Sequence, residues 1–140
     1  MARIESFTDH QGVTLQTTRI DSSEVFPGVV CDAYEHPETK KRDLAIINIK
    51  AGYRTRPQRV LSGIETTEGY ISGKGRLIII KEDGEKLPPF EVEPGSEGFA
   101  HTVKVGEIMQ WQADEDLVVF EVCYLPYEDD RFENLEDEEL

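Results

Sequence analysis

The chain has 140 residues, 29 of them acidic against 15 lysines and arginines, giving a formal net charge of −14. That length supports one domain with a core that needs no staples, and that charge argues against nucleic acid or an anionic membrane as partner, since either requires a basic footprint. The longest apolar run, Leu77 to Ile80, is far too short to span a bilayer, and MARIESFTDH has no apolar segment with a small-residue cleavage site, so a cytoplasmic location is expected.

Residues 1 to 12 carry no periodic signal. Val13 to Ile20 is rich in β-branched residues and reads as a strand, and Val25 to Tyr34 as a second extended segment bent at Pro27-Gly28. His36 to Arg42 is a polar loop. Asp43 to Ala51 is an apolar strand, Arg54 to Leu61 alternates, Ser62-Gly63 turns the chain, and Ile64 to Ile71 is the next strand. Gly73-Lys74-Gly75 reads as a hairpin turn, followed by strands at Arg76 to Glu82, Phe90 to Glu93, Phe99 to Val103, Ile108 to Gln112 and Leu117 to Leu125. Short strands punctuated by turns at intervals of roughly ten residues predict a β-sandwich or barrel. Residues 1–127 form one such domain, and 128–140, dominated by acidic side chains, are expected as a solvated, partly frayed tail. Cys31 and Cys123 sit in apolar runs and read as small buried hydrophobes.

Gly98 to Ala113 (GFAHTVKVGEIMQWQA) has the spacing of the second cupin motif, G-x5-P-x-G-x2-H-x3-N. Gly98 and Gly106 fall on its glycines, while Lys104, Met109 and Ala113 replace the proline, histidine and asparagine. Gly52 to Leu77 resembles the first motif, G-x5-H-x-H-x3/4-E-x6-G, with Gly52 and Gly73 as its outer glycines and one residue more than the longer form of the pattern. The final strand and closing segment are similar to those of sugar-phosphate-isomerase-like cupins. The resemblance covers about residues 43 to 136 and implies an all-β, cupin-type double-stranded β-helix, a jelly-roll barrel holding its ligand in an open mouth. It also implies a homodimer, with the region Val13 to Tyr34 crossing to the partner.

Family metal sites use two histidines, a glutamate and a further histidine. Here the histidine positions of the first motif fall on Gln58 and Val60 counted forward, or on Val60 and Ser62, or Arg59 and Leu61, counted back. The glutamate position is Thr66, with Glu65 or Glu68 able to slip into it, and the last ligand is Met109. An amide, a hydroxyl and a thioether hold a first-row divalent metal poorly, so no catalytic metal and no other cofactor is expected.

If the strands keep the motif's register, Arg54, Arg56 and Gln58 face the mouth together with Thr66, Glu68, Tyr70, Met109 and Trp111. Guanidinium forks suit phosphate or carboxylate, and the aromatic faces suit a sugar ring. The alternative for Arg54, Arg56 and Arg59 is a solvated strand edge paired with Glu65 and Glu68. His101 is the one histidine inside the motif region, and with Tyr70 it forms a candidate acid–base pair, as the resemblance to metal-independent sugar epimerases implies; the alternative is a structural histidine. Three functions follow. The first is metal-independent binding of a small anionic or carbohydrate-like molecule. The second is isomerisation or epimerisation of a phosphorylated or nucleotide-linked sugar by His101 and Tyr70. The third is protein interaction through the acidic tail.

Overall fold

Leu77, Ile78 and Ile79 are each at most 2 % exposed, which a strand achieves only when both of its faces are covered. The computed structural model in which they lie describes residues 3–8, 14–35, 42–61, 65–124 and 132–140, with side chains over 21–34, 44–61, 66–122 and 132–140. His10, His36, Ser62-Gly63 and residues 125–131 lie outside the described residues, as do the side chains of Glu65 and Cys123.

Among the described residues the strands are β1 (Arg3–Thr8), β2 (Thr14–Phe26), β3 (Val29–Glu35), β4 (Arg42–Ile49), β5 (Gln58–Val60), β6 (Glu65–Ser72), β7 (Gly75–Ile80), β8 (Phe90–Val92), β9 (Ala100–Lys104), β10 (Ile108–Ala113), β11 (Leu117–Tyr124) and β12 (Phe132–Asn134). They form two antiparallel sheets, one in the order β1-β2-β3-β4-β11-β6-β9 and the other β12-β5-β10-β7-β8. From β4 onward the chain changes sheet at every connection except β7 to β8, winding the two layers together as a jelly roll does. The facing surfaces enclose a core of Val29, Ile49, Val60, Tyr70, Leu77, Ile79, Met109, Trp111, Leu117 and Val119, among others. A second cluster of Tyr34, Leu44, Phe120 and Val122 lies on the other face of the seven-stranded sheet. There the ring of Phe120 lies so close to Gly69 that a Cβ at Gly69 would come within 2.0 Å of it.

Several sequence expectations are corrected. Residues 3–8, given no structure by their pattern, pair with β2 as an edge strand. Pro27-Gly28 is the tip of the β2–β3 hairpin, not a bend within one strand. The turn at Gly73-Lys74 joins β6 to β7 across the two sheets instead of closing a hairpin. It interlocks with the other corner, since the Lys74 carbonyl accepts from the N–H groups of Asp114 and Glu115 at 2.9 and 3.1 Å. A Cβ on Gly73 would stand 1.9 Å from the Asp116 carbonyl oxygen, and its φ of +94° is left-handed, so both space and backbone demand glycine. All four motif glycines, Gly52, Gly73, Gly98 and Gly106, have positive φ.

The largest correction concerns the acidic segment. Its acidic side chains at 136–139 are exposed, yet its backbone is built into the barrel. β12 adds an edge strand beside β5, and the Leu135 N–H bonds to the Pro57 carbonyl at 2.9 Å. Residues 138–140 then run over the side chains of Gln110 and Gln112 on β10. No hydropathy pattern marks this segment, because its backbone supplies most of the bonds.

Candidate functional site

One transverse row on the seven-stranded sheet concentrates the chemistry. Cross-strand register aligns Ala33 with Ala45, Ala45 with Glu121, Glu121 with Glu68, and Glu68 with His101. Alternation puts this row on the same face as Val29, Ile49, Val119 and Tyr70, which all belong to the core between the sheets. Glu68 is 1 % exposed, whereas Ala33, Ala45, Glu121 and His101 are partly exposed. Beyond Ala33 the row continues to Asp21 on β2, which is exposed. Cys31 and Ile47, also partly exposed, stand in the adjoining row.

Trp111 crosses from the five-stranded sheet and donates its indole N–H to Glu68 Oε1 at 3.0 Å. Burial, then the nearby Glu121 carboxyl, push the Glu68 pKa well above the usual carboxylate range. The Cys31 thiol is pushed up to about 12, first by burial and then by Glu121, and stays protonated. Burial lowers the pKa of His101, whose ring packs 4.8 Å from that of Phe90 and is neutral at pH 7. Phe90 lies on β8 and His101 on β9, the terminal strands of the two sheets, so this contact closes the seam between them.

Of the residues singled out from sequence, Thr66, Glu68, Tyr70, Met109 and Trp111 are all buried, and Tyr70, Met109 and Trp111 share the core cluster. The proposed acid–base pair is separated in its bonding. Tyr70 and His101 both belong to the inner face, but the Tyr70 hydroxyl donates to the Gly73 carbonyl at 2.9 Å. Burial also raises the Tyr70 pKa, with exposed Glu97 and Glu93 adding to the effect.

Arg54 and Arg56 do not reach the mouth. Thr55 and Pro57 take the buried positions of this segment, which turns the intervening arginines the other way. Arg56 donates twice to the Leu135 carbonyl, Arg54 pairs with Asp137 at 3.6 Å, and Arg59 pairs with Glu133 at 3.3 Å. The arginines are therefore paired, as the strand-edge alternative holds, but with the 132–140 segment in place of Glu65 and Glu68. Gln58 is the cross-strand neighbour of Met109 and gives its side-chain amide to Asn134 at 2.8 Å.

The family's metal positions can be tested on these donors. They hold a glutamine already bonded to a neighbour, a valine at 0 % exposure, a buried threonine and a buried thioether. Glu68 supplies one carboxylate, committed to Trp111. Among the described residues, no three of His, Cys, Asp and Glu converge as metal ligands would. This set does not fit a first-row metal. Sequence reasoning missed Glu121. Its signal was a single acid in the apolar run LVVFEVCYLP, in phase with buried Leu117 and Val119.

No family model matches the chain, and no curated protein matches it in sequence. Solved structures do. It is similar to an oxalate decarboxylase from Lactobacillus farciminis (TM-score 0.67, 16 % identity, 82 % of this chain and 33 % of that one). It is similar to CapF, solved with the inhibitor 3-isopropenyl-tropolone (0.66, 13 %, 81 % and 33 %). It is also similar to a salicylate 1,2-dioxygenase from Pseudoaminobacter salicylatoxidans (0.56, 19 %, 71 % and 26 %). The chain thus spans between a quarter and a third of the length of these proteins, and at such identities the likeness concerns fold. Two wound antiparallel sheets, left-handed glycines at the motif positions and these neighbours agree on the fold: the chain is a jelly-roll barrel.

Proposed function

We propose that this protein binds a small carbohydrate-like molecule in the barrel mouth without a metal ion. The observation that carries this reading is the inner row itself: a partly exposed Glu121 beside two alanines, backed by a buried, protonatable Glu68. Such a floor offers hydrogen-bond acceptors where a ligand can approach them. The anionic ligand expected from Arg54 and Arg56 loses support, because Arg56 is bonded to the Leu135 carbonyl and Arg54 lies on the side of Asp137.

Binding stands ahead of isomerisation because Tyr70 gives its hydroxyl to Gly73 and has no described bond to His101. Interaction through the acidic segment is weakened by the same contacts that pin its backbone. The test is a thermal-shift screen of monosaccharides, sugar phosphates, nucleotide sugars and dicarboxylates, with and without divalent metals. A ligand of the folded state raises the melting temperature by mass action. Stabilisation by a sugar in the presence of chelator supports the reading, and stabilisation by metal alone refutes it.

A further inference from the structure

Gln110 and Gln112 alternate with Met109 and Trp111, which belong to the core, so the two amides stand on the outer face of the five-stranded sheet. They are nevertheless only 0 % and 6 % exposed, where residues 138–140 lie over them. The bonds that hold this segment go mostly to its main chain. β12 adds to the β5 edge, the Leu135 N–H donates to the Pro57 carbonyl, and the Leu135 carbonyl accepts from Arg56. Further along, the Glu138 carbonyl accepts from Gln110, the Leu140 N–H donates to the Gln110 oxygen, and the Leu140 carbonyl accepts from Gln112. A track of this kind holds an extended strand by its backbone and leaves specificity to the side chains along it. Here those side chains are basic: Arg59 faces Glu133 at 3.3 Å, and Arg54 faces Asp137 at 3.6 Å.

The resident segment is displaceable and imperfectly matched to the track. None of residues 132–140 is fully buried, and only Phe132, Leu135 and Leu140 are half-buried. Its ion pairs are solvent-exposed, and such pairs add little. Segments with few buried apolar contacts open well before the whole fold does. The mismatch lies at Arg54. Its Nε is buried with no hydrogen-bond acceptor among the described residues, and the Asp137 carboxylate stops 3.6 Å from Nη2. A glutamate, one methylene longer, has the reach to close on the guanidinium fork, the arrangement in which arginine holds a carboxylate best. We propose that this outer face, from β5 to Gln112, is a docking track for an extended acidic peptide of a partner protein, and that residues 132–140 occupy it until that peptide displaces them. The peptide repeats the half-buried pair Phe132 and Leu135 and carries glutamate in the place of Asp137. The recognising surface is the track beneath the segment, not the acidic side chains above it, and it is separate from the barrel mouth.

The experiment adds fluorescein-labelled peptides to the full chain at pH 7 and reads anisotropy. The probes are FENLEDEEL, which copies residues 132–140, FENLEEEEL, with glutamate in the place of Asp137, and the basic control FKNLKKKKL. FENLEEEEL is expected to bind about three- to tenfold more tightly than FENLEDEEL, the size of one added charge-assisted hydrogen bond at a partly exposed site, and the control not to bind. Leu135→Ala loosens the resident segment and leaves the track intact, so it should tighten binding of both acidic peptides by about threefold or more. Arg59 and Glu133 are cross-strand partners. In the double variant Arg59→Cys/Glu133→Cys, oxidation is expected to lock the segment in place and abolish binding, and reduction to restore it. Binding that survives the oxidised lock overturns the proposal. Equal affinity for acidic and basic peptides, or no binding to a folded Leu135→Ala variant, does the same. A dimer that grows with concentration in sedimentation and is blocked by the lock gives the track to a second copy of the chain, and also overturns it. If neither variant folds, the three peptides on the unaltered chain decide, and no preference for the acidic ones refutes the proposal.

Discussion

Arg56 gives both Nε and an Nη to one acceptor, the carbonyl of Leu135, at 2.8 and 2.5 Å, although 79 residues separate them along the chain. This contact fixes an acidic segment against a sheet that its composition gave it no reason to join. Gln110 anchors the same segment further along. Its amide donates to the carbonyls of Thr55 and Glu138 at 2.9 and 2.7 Å, and its oxygen accepts from the Leu140 N–H at 2.9 Å.

Gln110→Ala strands those partners. Leaving a buried polar group unpaired costs about 1–3 kcal/mol, so we expect a loss of about 2 kcal/mol in urea unfolding and faster amide exchange at 138–140. Arg54→Ala should cost less than about 1 kcal/mol, because the pair with Asp137 is solvent-exposed.

Gly69→Ala drives a methyl group into the Phe120 ring. Overpacking of this kind costs about 1–3 kcal/mol. Combining it with Phe120→Leu should recover part of the loss, and a double-mutant cycle on melting or urea midpoints measures the coupling.

Glu68 is held more protonated in the fold than its ordinary value of 4.5. Its stabilising contribution is therefore complete below pH 4.5 and is lost as pH rises through the higher folded value. Glu68→Gln keeps an acceptor for Trp111 and removes the ionisation. The melting temperature of the variant should gain on that of the unaltered chain as pH goes from 5 to 8, and a constant difference would contradict the assignment.

His101 titrates in the other sense. Its folded pKa lies below 6.5, so its contribution is present above pH 6.5 and is lost as pH falls through the folded value. His101→Phe keeps a ring against Phe90 and removes the charge. The unaltered chain should lose stability relative to this variant between pH 6.5 and 5 in matched thermal melts.

Manganese, iron(II), nickel or zinc should leave the melting temperature of the chelator-treated protein unchanged, since the positions Gln58, Val60, Thr66 and Met109 offer no matching donors. A metal-dependent rise in a thermal-shift assay, reversed by chelator, would refute this.

Much of the barrel was legible because glycine and alternation are local signals. The motif glycines mark left-handed turns, and runs such as Leu77 to Ile80 mark a strand covered on both faces. That Gln58, Val60, Thr66 and Met109 stand at the motif's ligand positions could be read off by counting. What sequence alone could not give was phase and partnership. Burial of Thr55 and Pro57 turned Arg54 and Arg56 away from the mouth, and a count from Gly52 cannot see that. β12 is bonded through its backbone, to which hydropathy is blind. Glu68 meets Glu121 and Trp111 from strands far apart in the chain, so the central cluster existed in the sequence only as separate letters.

Trp111 is the only tryptophan in the chain, and its indole N–H ends on the carboxyl whose proton matters most. The protein therefore carries a built-in fluorophore at the centre of its barrel. A shielded indole emits toward the blue, and its intensity should follow both the ionisation of its acceptor and any occupant beside it. Titration by acid or by sugar can then be followed optically on the unlabelled protein.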